Sequence, residues 1–482
     1  MTRPNVLLVC TDQQRPDWHS TVGGPAETPA VERLADRGVE FTNAVCPTPV
    51  CNPSRASLAS GYEYDRCGVP NNEVDYPVER GTLYRRLRDE AGYHVAGCGK
   101  FDLTASYRLG DDGVPDEEWG FSDARFTPAK NETVARVRAA GGEPQDLYTA
   151  YLADEGLLDA HVEDYARRSG ADSLDDGKLV ATFPTQLPDE AYYDQWITRQ
   201  GRELVEAAPA DRPWFVQVNL QNPHDPWDVT ERMHDAFRDP DPDVSLPPPT
   251  DPGDRVDADT HQAVRRNYTA MVEHLDDCLA TLVAAVEARG ELDDTLVVFT
   301  SDHGEMLGDH GQWQKDSPLR PSVGVPLVVA GPDVTARERV DAPAATLDLH
   351  ATVLDYAGVD PGDVDSRSMR PFLSDAGGLP RDVVYAGLST WRMVFDGRYK
   401  LVRGYDPDRR RGADYEPRGV EPAEVTRLLS GRDPVLYDVD AGEGENVAPA
   451  HPEVVDRLTD RLAAVRGRPE TEGYGWRTPD CD

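Results

Sequence analysis

The chain has 482 residues, with 88 acidic and 50 basic side chains, a formal net charge of −38 and a hydrophobic content of 39%. This length and content suffice for one large domain with an appendage, or for two to three domains. The charge argues against nucleic acid as a partner, because a phosphate backbone would be repelled.

The acidic residues are spread along the whole chain, and lysine is nearly absent. Almost all of the basic side chains are arginines, and the lysines are Lys100, Lys130, Lys178, Lys315 and Lys400. An acidic surface poor in lysine is typical of adaptation to high salt, where screening removes most self-repulsion, so we expect a salt-adapted source. The alternative is an acidic surface for a basic partner or for many cations. Each remaining lysine is a candidate for a task that arginine cannot perform.

The seven cysteines are scattered, odd in number and without the spacing of a zinc finger. The N-terminal stretch MTRPNVLLVCTDQQ lacks the basic region, the long apolar run and the cleavage site of a signal peptide. No apolar run approaches the length of a membrane span. We therefore expect a cytoplasmic protein with reduced thiols and no membrane partner.

Four short runs rich in apolar and β-branched residues predict buried parallel strands. They are residues 5–11, 94–98, 214–220 and 295–301. Helical patterns lie between them, the longest at 261–290. This alternation predicts an α/β domain with a mainly parallel sheet flanked by helices. We expect the domain to span residues 1–378, with a loop-rich insertion at about 104–190 over one end of the sheet.

The pattern changes after residue 378. The stretches DVVYAGL, WRMVFDG, RYKLVRG and PVLYDV predict short antiparallel strands, and residues 452–465 predict a helix. We expect residues 379–482 to form a smaller C-terminal α+β domain built on an antiparallel sheet.

The stretch VCNPSRASLASG, residues 50–61, predicts a short helix beside a cysteine. Asn52 is a good N-cap, Pro53 suits the first helical position and Gly61 suits the end. A helix start attracts an anion through its unpaired N–H groups and its dipole. Because Arg55 follows Cys51 by one turn, a thiol and a guanidinium are predicted to face this anion site.

Chemically active side chains directly follow the four predicted strands. They are Asp12, Gln13, Lys100, Asp102, His224, Asp302 and His303. Each of them alone is more often a cap or a turn residue, but ligand sites of open α/β sheets lie beyond the carboxyl ends of the strands. Oxygen ligands with one imidazole suit a divalent cation such as Ca²⁺, Mg²⁺ or Mn²⁺. With the cationic groups, including Lys315, they predict a pocket for a sulfate or phosphate ester.

The stretch CNPSRASLASG matches the Cys-x-Pro-Ser-Arg signature of the type I sulfatases, in the alkaline phosphatase superfamily. The chain resembles this family along most of its length, from PNVLLVCTDQQRPD through TSDHGEMLGDHGQWQK to DGRYKLV and LYDVDAGEGENVA. The resemblance implies an alkaline phosphatase-like fold and a sulfuric ester hydrolase acting on a small-molecule or saccharide sulfate ester. It also implies that a formylglycine-generating enzyme converts Cys51 to formylglycine. By this resemblance, one hydroxyl of the gem-diol attacks sulfur and expels the alcohol, which leaves a covalent sulfate hemiester, and the second hydroxyl then collapses to the aldehyde and expels sulfate.

The resemblance also assigns a metal site. Asp12, Asp302 and His303 match metal ligands of the family, with the modified Cys51 as another. We expect Gln13 to belong to the same set and Ca²⁺ to be the ion, with Mn²⁺ or Mg²⁺ as alternatives.

The remaining roles concern the nucleophile and the ester. Arg55 matches an arginine that orients the gem-diol, and Lys100 and Lys315 match lysines that bind sulfate oxygens, Lys315 close to the leaving group. His224 matches a histidine that helps to protonate the departing oxygen. A substrate-binding asparagine of the family corresponds to Asn72 or, equally well, to Asn71 in the same stretch.

Two positions depart from the family pattern. Many members carry a second aspartate where this chain has Gln13, and glutamine there also occurs in members related to phosphonate monoester hydrolases and choline sulfatases. The alternative function is therefore phosphonate monoester or phosphodiester hydrolysis. Asp102 replaces the histidine of Gly-Lys-x-His, which helps the diol to collapse. Asp102 either acts as a base or pairs with Lys100, and it gives some support to a third reading, a catalytically silent binding protein.

Overall fold

The structure, a computed structural model, describes most of the chain. The described ranges are 3–104, 116–169, 179–236, 246–253, 256–337, 339–378, 380–405 and 433–466. Lys178, Cys481 and the C-terminal stretch RTPDCD lie outside them. Within the described ranges, no helix has both the length and the apolar character that crossing a membrane requires.

The strands of the main sheet and its neighbours have these bounds: β1 Asn5–Asp12, β2 Gly38–Phe41, β3 Ala44–Val45, β4 His94–Gly99, β5 Asp123–Phe126, β6 Trp214–Pro223, β7 Thr295–Ser301, β8 Leu327–Ala330, β9 Arg339–Val340 and β10 Ala344–Ala345. The C-terminal strands are β11 Val384–Leu388, β12 Trp391–Phe395, β13 Tyr399–Arg403 and β14 Val435–Asp438.

The helices before β6 are α1 Pro29–Asp36, α2 Cys51–Ser60, α3 Tyr64–Cys67, α4 Leu83–Ala91, α5 Asp116–Trp119, α6 Lys130–Ala139, α7 Leu147–Asp154, α8 Leu158–Ser169 and α9 Tyr193–Ala207. Those after β6 are α10 Glu231–Ala236, α11 Ala258–Ala288, α12 Arg320–Val323, α13 Asp348–Tyr356, α14 Arg370–Leu373 and α15 Pro452–Arg466.

The main sheet has the strand order β5-β4-β6-β1-β7-β8-β2-β9. The five strands from β5 to β7 are parallel, whereas β8 runs antiparallel to both β7 and β2. The four predicted strands correspond to β4, β6, β1 and β7, which lie side by side. The predicted α/β class with a mainly parallel sheet is therefore confirmed.

Both faces of this sheet are buried. Along β1, Val6 and Leu8 pack into one hydrophobic cluster, while Leu7 and Val9 pack into another on the opposite face. The first cluster includes side chains of α2, α4 and α13, and the second includes side chains of α9 and α11. Burial on two faces explains why these strands appear in the sequence as continuous apolar runs.

The described part of segment 104–190 differs from the loop-rich insertion that we predicted. Its strand β5 pairs in parallel with β4 at the edge of the main sheet, and α6, α7 and α8 follow it. The weak periodicity has a physical cause, because α6 buries polar side chains: Lys130, Glu132 and Thr133. A helix that turns polar groups inward gives little hydrophobic signal.

The antiparallel C-terminal sheet is present, with the order β11-β12-β13-β14. Tyr385, Val394 and Leu401 pack with Leu458 and other side chains of α15. Alternate residues on the other face, such as Val384 and Met393, join the main core. The sheet thus lies between α15 and the α/β region, with both of its faces covered.

Candidate active site

The carboxyl ends of β4, β6, β1 and β7 bring the predicted residues to one edge of the sheet. Asp12 pairs in register with Pro223, which places His224 beside it. The backbone N–H of Asp302 donates to the carbonyl of Thr11 at 3.1 Å. Before Lys100, a Cβ on Gly99 would lie only 2.0 Å from a carbonyl of β6. Glycine at this point allows the two strands to approach closely and to direct Lys100 to the edge.

The helix that carries Cys51 begins two residues earlier than we predicted, at Cys51 and not at Pro53. Helix α2 starts at Cys51 with Val50 as N-cap, so the prediction of Asn52 as the cap was wrong. The partner comes from a distant segment, because Asn72 Oδ1 accepts the backbone N–H of Asn52 at 3.1 Å. The predicted end is confirmed, since Gly61 closes the helix in the left-handed conformation at φ 76°.

The Cys51 thiol is buried and lies among charged and polar groups. Its Sγ is 3.3 Å from His303 Nε2, 3.1 Å from Lys315 Nζ and 3.9 Å from Asp12 Oδ1. Residue 51 is only 1% exposed. A group at this atom can therefore form hydrogen bonds or exchange protons directly with the His303 imidazole and the Lys315 ammonium.

The donor atoms of Asp12, Cys51, Asp302 and His303 all lie within 4.8 Å of one another. His303 Nδ1 lies 3.0 Å from the carbonyl of Gly304, so Nδ1 carries the proton and the lone pair of Nε2 faces the cluster. Burial lowers the pKa of His303 and favours the neutral ring that a metal ligand requires. Two carboxylates and a neutral imidazole fit a divalent cation.

Gln13 lies beside this cluster in a left-handed backbone conformation, with φ at 68°. Its backbone N–H donates to Asp302 Oδ1 at 3.1 Å, and its Oε1 accepts from Lys315 Nζ at 2.9 Å. Its Nε2 donates to the buried carboxylate of Glu305. That contact fixes the amide orientation, so the oxygen of Gln13 faces the pocket.

Cations crowd the two carboxylates. Arg55 Nε donates to Asp302 Oδ2 at 2.9 Å and its Nη2 lies 3.3 Å from Asp12 Oδ2, while Lys100 Nζ also contacts Asp12. Burial by itself would raise the pKa of Asp12, but the cations, with Lys100 the strongest, hold that pKa well below its usual range. Burial likewise opposes the charge of Lys315, yet Cys51 and Asp12 raise its pKa.

Asp102 lies next to this group, with its Oδ2 3.1 Å from Lys100 Nζ. Its backbone is left-handed, with φ at 48°. Although burial opposes the charge of Lys100, Asp102 and Asp12 raise its pKa well above the usual range. Of the two roles that we considered for Asp102, the geometry favours the ion pair.

The other predicted groups lie at the margin. His224 Nδ1 donates to the carbonyl of Asp225 at 2.6 Å, and His224 helps to lower the pKa of Asp12. Asn71 Oδ1 accepts the backbone N–H of Glu73 at 2.8 Å within its own turn, whereas Asn72 contacts the start of α2. Asn72 is therefore the asparagine that contacts α2, the helix that begins at Cys51.

Several residues that support the site were not predicted. Glu305 contacts Gln13 and burial raises its pKa to about 7, the Ser54 hydroxyl donates to the carbonyl of Asp302 at 2.6 Å, and the Tyr268 hydroxyl donates to the carbonyl of Gln13 at 2.9 Å. Two of these residues had a sequence signal: Ser54 lies inside the Cys-x-Pro-Ser-Arg signature, and Glu305 follows His303 by two residues, although so many acidic residues make it hard to single out. Tyr268 occupies an ordinary core position of α11.

A sequence model of the Sulfatase family matches residues 4–359. The chain is 27% identical over 479 residues to a choline-sulfatase of Rhizobium meliloti (strain 1021), with 90% of this chain and 84% of that protein covered. It is also 27% identical over 422 residues to the multifunctional alkaline phosphatase superfamily protein PehA of Trinickia caryophylli, with 79% of each covered.

Among solved structures, the phosphonate monoester hydrolase of Agrobacterium radiobacter superposes with a TM-score of 0.75 at 23% identity, covering 96% of both chains. At this identity, the similarity establishes a common fold. The family model, in contrast, extends over well more than half of the chain. The chain therefore belongs to the sulfatase family of the alkaline phosphatase superfamily, a family of sulfuric ester hydrolases.

Proposed function

We propose that this protein hydrolyses sulfate esters with a nucleophile derived from Cys51. One observation carries the proposal: the buried Cys51 Sγ lies at the start of α2, within hydrogen-bonding distance of Lys315 and His303 and beside the Asp12 carboxylate. A structural thiol would pack among apolar groups. This thiol lies where cationic groups converge, which is the environment of a reactive cysteine or of its modified form.

Two groups supplied after synthesis would complete the site. A divalent cation, with Ca²⁺ as our proposal, would be held by Asp12, Asp302 and His303 with residue 51 and Gln13, and would supply Lewis-acid stabilisation of negative charge. Oxidation of Cys51 to formylglycine would supply a hydrated aldehyde, with one hydroxyl for attack on sulfur and another for release of sulfate.

The protein's own residues bind and orient the ester. Arg55 contacts both Asp12 and Asp302 and holds them at the base of the pocket. Lys100 and Lys315 are buried cations at its edge, only 3% and 8% exposed, and electrostatic attraction to the oxygens of a sulfate group is strong in such a setting. These contacts position the sulfur in front of the Sγ position.

The leaving alcohol needs a proton. Lys315 is in contact with Sγ, and His224 lies at the same edge, next to Asp12. Both residues can hold a proton for the departing oxygen, which supports the roles that we propose for them. The alcohol itself we propose to be a small molecule or a saccharide.

A second candidate function is hydrolysis of phosphonate monoesters or phosphodiesters. Gln13 favours it, because the family resemblance associates glutamine at this place with members related to phosphonate monoester hydrolases. The fold shared with the Agrobacterium radiobacter phosphonate monoester hydrolase is compatible with it.

The test is a matched panel: sulfate, phosphate and phenylphosphonate esters of one aryl alcohol, assayed in concentrated salt with Ca²⁺ or Mn²⁺. The protein is made with a formylglycine-generating enzyme, and mass spectrometry of the peptide with Cys51 establishes the conversion. We expect the highest kcat/KM for the sulfate ester. A higher value for the phosphonate ester would instead support the second candidate, and no hydrolysis by converted protein would contradict both.

A further inference from the structure

Lys315 is presented by a strained stretch of backbone. The residues on both sides of it, Gln314 and Asp316, have positive φ angles of 64° and 82° although neither is glycine. Such conformations persist only where the surrounding structure holds them. The contacts of this stretch therefore decide where the Lys315 ammonium lies.

One side of the stretch is held by the α/β region. The buried Glu305 carboxylate accepts the backbone N–H of Gln314 at 2.6 Å through Oε1, and Lys315 itself donates to Gln13 Oε1. These contacts fix the start of the stretch and the tip of the side chain. They leave the backbone after Lys315 to other partners.

The other side is held by the C-terminal sheet. Trp391 Nε1, on β12, donates to the carbonyl of Asp316 at 3.2 Å. Lys400 Nζ, on β13, donates to the carbonyl of Pro318. Both donors come from the face of the sheet that packs on the main core. Trp391 belongs to the main core cluster, and Lys400 alternates along β13 with Leu401, which faces α15.

Lys400 is itself held by an ion pair with Glu443, and the two side chains are only 3% and 7% exposed. The second oxygen of Glu443 accepts the backbone N–H of Arg320, the first residue of α12. The pair thus contacts the chain both before and after Leu319, and it links the C-terminal segment to the backbone that follows Lys315.

The choice of lysine at position 400 is informative. Nearly every other cation of this chain is arginine. A compact ammonium can donate to a carbonyl and to a carboxylate from a single point, whereas the guanidinium of arginine is a planar fork that needs more room. Burial lowers the pKa of Lys400, which is the cost of placing its charge here.

We propose that Trp391, Lys400 and Glu443 are positioning residues that hold Lys315 in its place beside residue 51. The C-terminal sheet then acts on the reaction through the backbone of residues 316–320. The role of Lys315 in this inference rests on the proposed function. The inference adds which residues determine the position of that lysine.

A double-mutant cycle tests it. Lys400→Met should lower kcat on the order of 10²-fold through misplacement of Lys315, with a larger loss for an alkyl than for an aryl leaving group. In a Lys315→Ala background, Lys400→Met should cause no further loss beyond about twofold, because the group through which it acts is gone. Equal losses in both backgrounds would overturn the proposal. Trp391→Phe, which keeps an aromatic side chain but removes the donor to Asp316 and part of the ring volume, gives a milder variant of the same test.

Hydrogen exchange tests the positioning without turnover. In unconverted protein, Lys400→Met and Trp391→Phe should each speed amide exchange at residues 314–320. The control is Arg461→Met, on α15 at the opposite face of the same sheet, whose exposed guanidinium pairs with Asp382 and whose loss should leave that segment protected. Unchanged exchange in the first two variants, or equal loosening in the control, would overturn the proposal. Since this measurement needs no substrate, it separates failure of the positioning from failure of the proposed activity.

Discussion

We call the edge of the main sheet at the carboxyl ends of β4, β6, β1 and β7 the catalytic edge. The catalytic edge and the C-terminal sheet both bury cations, but these cations are paired with carboxylates in different ways. In the C-terminal sheet each buried cation has its own carboxylate: Lys400 pairs with Glu443, and Arg392 with Asp65. At the catalytic edge the pairing is not one to one: Arg55 and Lys100 share Asp12, Arg55 also contacts Asp302 and Lys100 also contacts Asp102. Lys315 donates instead to the amide oxygen of Gln13 and to the Cys51 thiol.

This difference distinguishes a structural ion pair from a binding site. A buried pair of one positive and one negative charge leaves little electrostatic potential to attract a ligand. Its contribution is to fix the position of the segments that it joins. Lys315, which donates to the neutral amide of Gln13 and to the Cys51 thiol, keeps positive potential for an anion. The four variants below test this contrast.

The largest expected effect is at Cys51. Cys51→Ala removes the precursor of the nucleophile and should lower kcat by a factor on the order of 10⁶, as loss of a nucleophile does elsewhere. The free energy of unfolding should change little. Steady-state kinetics and denaturant titration check the two statements.

Cys278→Ala is the matched control, because this cysteine is equally buried but lies in the core between α11 and the sheet. It should retain activity. Substantial hydrolysis by Cys51→Ala would place the nucleophile elsewhere and remove the contrast between the two regions.

The next effect concerns the carboxylates that the cations share. Asp302→Asn removes one charge from the cluster of donor atoms, and we expect loss of the divalent cation on dialysis, measured by elemental analysis and by calorimetric titration with Ca²⁺. Asp309→Asn is the control, since Asp309 is a buried carboxylate of the same loop that pairs with Arg15 and Arg265 instead. Equal metal content in Asp302→Asn and the unmutated protein would exclude Asp302 as a ligand.

Much of the fold could be predicted because its signals are local. The strands β1, β4, β6 and β7 are continuous apolar runs, so both their positions and the residues at their ends followed from the sequence. The parallel arrangement then placed Asp12, Lys100 and Asp302 at one edge. The C-terminal strands were predicted from their short stretches of apolar and aromatic residues, such as DVVYAGL and WRMVFDG.

The features that were missed depend on contacts between distant segments. The N-cap of α2 is Val50, and the side chain that accepts the Asn52 N–H belongs to Asn72, twenty residues further along, so a local preference for Asn52 was misleading. Helix α6 turns polar residues inward, such as Lys130, which pairs with Asp228 far along the chain. Its sequence therefore has little apolar periodicity, and the helix was not predicted. Such pairs follow from the tertiary fold and have no local pattern.

A smaller effect on catalysis, and a larger one on stability, is expected from the paired cations of the C-terminal sheet. Arg392→Met removes the guanidinium that pairs with Asp65, to which the Tyr385 hydroxyl also donates, and should lower the free energy of unfolding by up to about 3–5 kcal/mol, the cost of breaking a buried pair. The kcat of the folded fraction should stay the same. Arg461→Met, which breaks the exposed pair with Asp382, should cost much less. A large drop in kcat for Arg392→Met would mean that the sheet affects the site as a whole.

The smallest effect, when all are expressed as free energies, is expected at Asp102, where the chain departs from the family pattern. Asp102→Asn keeps a residue that tolerates the positive φ of this position and removes the charge 3.1 Å from Lys100. Because Asp12 still holds the ammonium, we expect kcat to fall by less than about tenfold, with an unchanged pH–rate profile, whereas loss of a general base costs roughly 10²–10⁴-fold. Kinetics across the pH range measure both quantities. A loss of the larger size, with a displaced limb of the profile, would make Asp102 the base that replaces the histidine of its relatives, and the catalytic edge would then use a carboxylate for proton transfer as well as for charge balance.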